Sequence, residues 1–286
     1  MINKLVVIGV GLIGGSFALA LREAGLVREI VGVGRSPENL SAALGTYVID
    51  SVAEAAQAVR GADLVLLAVP VGQMAAIMTA IAPQLEPHTV LSDVGSTKQN
   101  VSLLARQHLP RQLARFVPAH PIAGAESSGV KAARGDLFRE RKVVLTPLAE
   151  TDPAAKALLT SLWQACGATV TEMTPPQHDA LFAAVSHLPH VLAFALVDYI
   201  AAQADAAQLF DFAASGFRDF TRIAGSSPEM WRDICLANSD ALLQQISGYE
   251  LELAHIKDLI ENSDGAGLAA LFGRARDARQ NFLKKI

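Results

Sequence analysis

Residues 4–21 read KLVVIGVGLIGGSFALAL. A short apolar run leads straight into glycines at positions 9, 11 and 14, and an alanine- and leucine-rich segment follows. The spacing G-x-G-x-x-G between a strand and a helix has a specific physical use. One glycine permits the tight turn, one lets the backbone approach a pyrophosphate, and one lets the helix pack against the strand. The helix N-terminus adds unpaired N–H groups and partial positive charge. The same glycines in another context would be an ordinary structural turn; their place between strand and helix predicts dinucleotide binding.

The next strand should show which dinucleotide. An acidic residue about 20 positions beyond the glycines normally grips the ribose 2′-hydroxyl of NAD. Here the segment EIVGVGR (29–35) runs into SPENL, and Gly34, Arg35 and Ser36 occupy the expected place. A glycine leaves room for a 2′-phosphate, an arginine can pair with it and a serine can donate to it. The expected cofactor is NADP, with NAD possible; in the opposing reading Arg35 is a solvated loop residue and Glu38 holds the ribose. The cofactor set is Gly9, Gly11, Leu12, Ile13, Gly14, Gly34, Arg35 and Ser36, with Val69 and Pro70 ending the strand ADLVLLAVP (62–70).

Farther along, TVLSDVG (89–95), ARFVPAH (114–120), KVVLTP (142–147) and ATVTEM (168–173) continue as short apolar strands separated by helical runs such as KQNVSLLARQH (98–108). Continuous apolar strands alternating with helices predict a mostly parallel sheet covered on both faces, a Rossmann-like α/β domain. After TPPQHD (174–179) the character changes to long helical stretches, with breaks expected at 215–217, 225–228 and 263–267. The expected organisation is a dinucleotide-binding domain over 1–173 and an all-helical substrate and dimerisation domain over 174–286.

Composition limits the alternatives. The 286 residues are 51% hydrophobic with a net charge of −4, which offers no basic footprint for nucleic acid. Two cysteines, Cys166 and Cys235, are too few for a disulfide framework and read as small core residues in a reducing cytoplasm. Glycines interrupt the apolar N-terminus, so it is not read as a signal peptide. The apolar window 64–82 is broken by Pro70, Gly72 and Gln73 and divides into a strand and a helix, so no membrane partner is expected.

Several polar groups then need explaining. His120 in AHPIAGAESSG (119–129) ends a strand, as does Ser96 in DVGSTK (93–98), which lacks the full phosphate-loop spacing. Ligands bind at the carboxyl edge of parallel sheets, so both side chains should face the crevice beside the nicotinamide. In SHLPH (186–190) the i, i+4 relation puts Ser186 and His190 on one helix face and His187 on another, with a kink expected at Pro189. Arg218, Arg222 and Arg232 lie in GFRDFTRIAGSSPEMWRDI (216–234), and an arginine turned to the cleft would bind a carboxylate bidentately.

In order along nearly the whole chain, GVGLIGGS, ADLVLLAVP, DVGSTK, HPIAGAESSG, SHLPH and GFRDFTRIAGSSPEMWRDI resemble the prephenate dehydrogenase family of tyrosine biosynthesis, with its arogenate and cyclohexadienyl members. The resemblance implies a nucleotide-binding domain, a helical domain that builds a homodimer, and a cleft between them. It makes His120 the catalytic histidine with Ser96 orienting it, and places Ser186, His190, Arg222 and Glu126 in the substrate site. It also implies oxidation at the ring hydroxyl with loss of CO2, driven by aromatisation and needing no metal. No chorismate mutase region or appended regulatory domain is expected. The rival readings are a reductase of the ketopantoate or hydroxyisobutyrate type, with Lys98 as its catalytic lysine, and a non-catalytic NADP-sensing module.

Overall fold

The computed structural model describes residues 1–124, 127, 129–284. Eight strands form one sheet: β1 (Ile2–Ile8), β2 (Val27–Val33), β3 (Ser51–Val52), β4 (Leu64–Leu67), β5 (Val90–Asp93), β6 (Phe116–Pro121), β7 (Lys142–Leu145) and β8 (Thr169–Glu172), in the order 3-2-1-4-5-6-7-8. All neighbouring pairs are parallel except β6 with β7. The mostly parallel sheet is therefore as expected. β3 was not anticipated, because two residues carry no readable alternation.

The strands are apolar throughout because each face of the sheet has its own core. Leu5, Val7, Leu64 and Leu66 pack with Phe17 and Trp163 on one side, while Val6, Ile8, Val65 and Leu67 pack with Met74, Met78 and Phe116 on the other. The covering helices are α1 (Leu12–Glu23), α2 (Pro37–Gly45), α3 (Ala55–Ala58), α4 (Met74–Ile81), α5 (Gln99–His108) and α6 (Pro153–Ala165). α1 takes in Gly14 and Gly15, although glycine is a poor helix former. Packing overrides propensity here: a Cβ on Gly14 would press on Val7, and one on Gly15 would lie 2.9 Å from Ala133 Cβ. The apolar window 64–82 is divided as expected, into β4, a single turn and α4.

Among the described residues no strand follows Glu172. The helices there are α7 (Pro175–Phe182), α8 (Leu188–Ala201), α9 (Ala206–Asp211), α10 (Ser215–Thr221), α11 (Pro228–Ala237), α12 (Ser239–Glu261) and α13 (Gly265–Leu283). Ser215 and Gly216 begin a helix instead of breaking one, since the first helical turn tolerates glycine; the break falls just before them. Between α7 and α8, Ala183–His187 forms a π-helical turn. That turn replaces the regular ladder just ahead of Pro189, whose ring cannot supply an N–H to it. The run Pro175–Ala201 is long and apolar enough to cross a membrane by length and composition, yet His178, Asp179 and His187 within it are fully buried.

The chain forms two compact units, Met1–Ser239 and Asp240–Ile286. The first contains the sheet and helices α7 to α11. In the second, the Asp264 side chain caps α13 by accepting the Gly267 N–H at 2.8 Å, and Leu251, Leu253, Phe272 and Phe282 are exposed.

Candidate active site

Strand order 3-2-1-4 reverses direction between β1 and β4, which is where dinucleotides lie in such sheets. Gly9 closes that crevice from below. Its φ is +101°, and a Cβ there would collide with the carbonyl of Ala68 at the end of β4. Gly14 packs α1 onto β1, whereas a Cβ on Gly11 would meet nothing within 4 Å. The three glycines thus divide the expected roles, with Gly11 facing open space. Among the described residues no side chain caps the start of α1, so the N–H groups of the turn formed by Leu12, Ile13 and Gly14 have no side-chain acceptor there. This is a cradle that fits a pyrophosphate. Val69 and Pro70, partly buried, follow β4, and a Cβ on Gly9 would lie 3.1 Å from Val69 Cγ1.

Gly34 and Arg35 lie just beyond β2, exposed, and line a hollow with Leu40, Leu44, Val52 and Ala53. Ser36 is occupied locally. Its hydroxyl accepts the Asn39 N–H at 3.1 Å as the cap of α2 and donates to Glu38 at 2.8 Å. A bond from its own backbone N–H and then the Ser36 hydroxyl hold the Glu38 carboxyl below its ordinary range. Asn39 also ties the neighbourhood together, donating to Val10 O at 2.6 Å and accepting Val130 N–H at 3.0 Å.

The histidines converge at the ends of β5 and β6. β6 pairs with β5 through Phe116–Pro118 and then with β7 through Ala119–Pro121, so His120 is held on a strand hydrogen-bonded to a new neighbour. His120 Nδ1 lies 2.8 Å from His178 Nε2, and His178 Nδ1 lies 2.7 Å from Asp179 Oδ1. Phe182 packs on both rings, with centroids 4.9 Å from His120 and 4.5 Å from His178. Burial chiefly, then the nearby His178, Lys98 and His187, holds the His120 imidazole well below its ordinary 6.5. His120 is therefore neutral at neutral pH.

Behind it lies a fully buried ion pair between Lys98 and Asp93. Asp93 also accepts the Gly95 N–H at 2.8 Å, and Asp179 accepts the N–H groups of Lys98 and Gln99, both at 2.8 Å. Burial pushes the Asp93 carboxyl up and the Lys98 amine down, each opposed by the other's charge. A lysine so enclosed has no solvent-facing edge from which to serve a substrate.

Ser96 is partly buried between Gly95 and Thr97, at the mouth of the β5–α5 turn. His187 is fully buried, its Nδ1 receiving the Asn238 amide at 3.1 Å, and burial drives it down to about 4. It is turned inward, as helical phase predicts. His190 instead stacks on Trp231, with centroids 3.7 Å apart and planes 19° apart. Its Nδ1 donates to Ser186 O at 2.9 Å, so Ser186 meets it through the main chain. Burial lowers the His190 pKa, and Arg222 is near enough to lower it further. Arg222 itself is exposed at the end of α10, and Arg218 is exposed one turn earlier. Glu126 lies outside the described residues. Neither cysteine joins this cluster; burial pushes the Cys166 thiol up to about 12.

Two family profiles cover this arrangement. The prephenate dehydrogenase nucleotide-binding domain matches residues 17–172, and the prephenate dehydrogenase dimerization domain matches residues 174–274. The chain belongs to the prephenate dehydrogenase family. A prephenate dehydrogenase of Bacillus subtilis (strain 168) is 39% identical over 282 residues, 98% of this chain and 76% of that relative. A cyclohexadienyl dehydrogenase of Zymomonas mobilis is 34% identical, over 97% of this chain and 95% of its own. Among solved structures, the prephenate dehydrogenase from A. aeolicus in complex with hydroxyphenyl propionate and NAD+ superposes with a TM-score of 0.92 at 36% identity, over 99% of both chains.

Membership in the prephenate dehydrogenase family makes this chain an oxidoreductase that uses a nicotinamide cofactor, and it removes the reductase and sensor readings. Sequence reasoning missed His178, Asp179, Trp231 and Asn238. The first two had one signal: His178 and Phe182 are four apart on one face of an apolar helix, with a charged residue directly after the histidine.

Proposed function

We propose that this chain oxidises prephenate, arogenate or both, with loss of the ring carboxylate as CO2, and does so in the cleft that holds His120. The observation that carries this reading is His120 at the carboxyl end of β6, held against His178 and Phe182 on the same edge of the sheet as the Gly9–Gly14 turn that follows β1. A bound nicotinamide supplies the hydride acceptor. Positive character develops on the carbon bearing the ring hydroxyl as its hydrogen leaves, and a bare imidazole nitrogen accepting that hydroxyl's proton stabilises it. General-base assistance of this kind contributes about 10²–10⁴-fold. Ser96 orients the ring and the imidazole, while Ser186 and His190 line the substrate side. Arg222, beside His190, anchors a substrate carboxylate, a gain chiefly in orientation. Glu126 is proposed for the same cleft on the sequence pattern alone.

The family's dimerization profile, with exposed Leu181, Val185, Tyr199 and Phe220 among the helices after residue 173, supports a homodimer built by residues 174–286. Residues 1–173 then form the dinucleotide-binding domain. Two free cysteines suit a cytoplasmic enzyme.

For the cofactor, Gly34 and exposed Arg35 support NADP over NAD. Ser36, with its proton turned to Glu38, contributes less than its position implies. Steady-state kinetics with prephenate and arogenate, each with NADP and NAD, test the proposal. Turnover of at least one ring substrate is expected, with kcat/KM about 10- to 100-fold higher for NADP, the worth of one charge-assisted bond. Turnover of neither substrate would overturn the reaction. A preference for NAD would make Glu38 the ribose ligand.

A further inference from the structure

We infer that His178 and Asp179 are positioning residues that fix which nitrogen of His120 carries the proton, leaving Nε2 bare toward the substrate hydroxyl. The inference rests on His120 being the hydrogen-bond acceptor proposed above.

The argument starts from the end whose chemistry is fixed. A backbone N–H can only donate, and both oxygens of Asp179 receive one: Oδ1 from Lys98 and Oδ2 from Gln99, each at 2.8 Å. The side chain is therefore placed as an acceptor. His178 Nδ1, 2.7 Å from the same Oδ1, must carry a hydrogen. A neutral imidazole has only one N–H, so His178 Nε2 is a lone pair. It faces His120 Nδ1 at 2.8 Å, and a lone pair can only be met by a donor. His120 thus holds its hydrogen on Nδ1, and Nε2, which makes no protein hydrogen bond among the described residues, is the free acceptor.

The chain of roles holds only while His178 is neutral. A cationic His178 would donate from Nε2 and force the hydrogen of His120 onto its other nitrogen. The groups facing His178 are Asp179, Asp93, Lys98 and the histidines His120 and His187. Burial outweighs the two carboxylates, with Lys98 acting in the same direction as burial, and the His178 pKa lies below 6.5.

Three elements must meet for the arrangement to exist: β6 carries His120, α7 carries His178 and Asp179, and the start of α5 supplies the two N–H groups. The register of α7 is set by a capping box. Thr174 accepts the Gln177 N–H, and the Gln177 side chain receives the Thr174 N–H at 3.0 Å. Asn238 braces the far side, donating to Asp179 O at 2.9 Å.

Nitrogen-15 spectra of the imidazoles, recorded on the full chain and assigned with His120→Asn, read the tautomer directly. Wild type should show His120 protonated at Nδ1 and bare at Nε2. In Asp179→Asn either orientation sets the amide NH2 against one backbone N–H; turned to His178 Nδ1, with the oxygen kept on the Gln99 N–H, it reverses every role and leaves His120 protonated at Nε2. A wrong tautomer removes the base, so kcat should fall about 100-fold or more, with cofactor Kd unchanged. In His178→Gln the amide oxygen can accept from His120 whatever stands at 179, so kcat should stay within about tenfold of wild type, and adding Asp179→Asn should cost under about threefold further. His178→Leu should give mixed tautomers and a loss like that of Asp179→Asn, which keeps the test open if Asp179→Asn does not fold. Wild-type His120 protonated at Nε2, or equal losses from Asp179→Asn in both backgrounds, would overturn the inference. Full activity in His120→Asn with the expected spectra would instead sink the role of His120 itself.

Discussion

The two ends of the site are built from different materials. The proposed cofactor end, Gly9 to Gly14, is made of backbone: open space at Gly11, an uncapped helix start and no titratable side chain in the turn. The opposite end works through side chains, with the fully buried His178, Asp179, His187 and Lys98–Asp93 pair around a partly buried His120. A backbone site is indifferent to pH and is broken only by adding atoms. A buried side-chain site is broken by removing one atom or by adding a proton.

The largest effect should come from the histidine end. His120→Asn is expected to lower kcat by about 10²–10⁴-fold while cofactor Kd stays within about twofold, because the contact matters in the transition state. Rapid kinetics retaining more than a tenth of wild-type kcat would erase the difference between the two ends.

At the cofactor end, two alanine substitutions should part company. Gly9→Ala forces a positive φ on alanine and drives its methyl into Ala68, and should cost about 1–3 kcal/mol of stability by denaturant unfolding. Gly11→Ala meets open space, so stability should hold while cofactor Kd rises. Equal destabilisation by both would mean that the open space at Gly11 is not a ligand's.

The mildest effect is set by protons. His120 must be neutral to accept, and its pKa is depressed, so the acid limb of kcat should lie below pH 6.5. The same sign governs folding. His120, His178, His187 and His190 all bind protons less readily folded than unfolded, so stability is full above pH 6.5 and declines below it, with the His187 contribution gone near pH 4. Melting temperatures that stay level from pH 7 to 5 would count against the buried histidines.

The same contrast explains what the sequence disclosed. Gly9, Gly11 and Gly14 were legible because a backbone site is written in consecutive residues with a fixed spacing. The alternation of apolar strands and helices gave the sheet, but β3 is too short to register and nothing in KVVLTP states that β7 runs antiparallel to β6. His120, Ser96, Ser186, His190 and Arg222 stood out only inside longer motifs. His178 and Asp179 were hidden, since a polar pair in the first turn of a helix reads as solvated until the fold brings residues 98, 120 and 178 together.

The π-helical turn at Ala183–His187 also lies between two parts of the site. His178 and Phe182 precede it, His190 follows it, and a turn of this kind holds one residue more than an α-helical one. Deleting a single residue there would leave an ordinary α-helical turn that sweeps roughly the same angle, so the phase of everything downstream would be kept. His190 would then stay on the face of Trp231 while His178 kept its grip on His120. The segment is a spare link: it takes up one residue within a single turn, and the two halves of the helix face as they would without it.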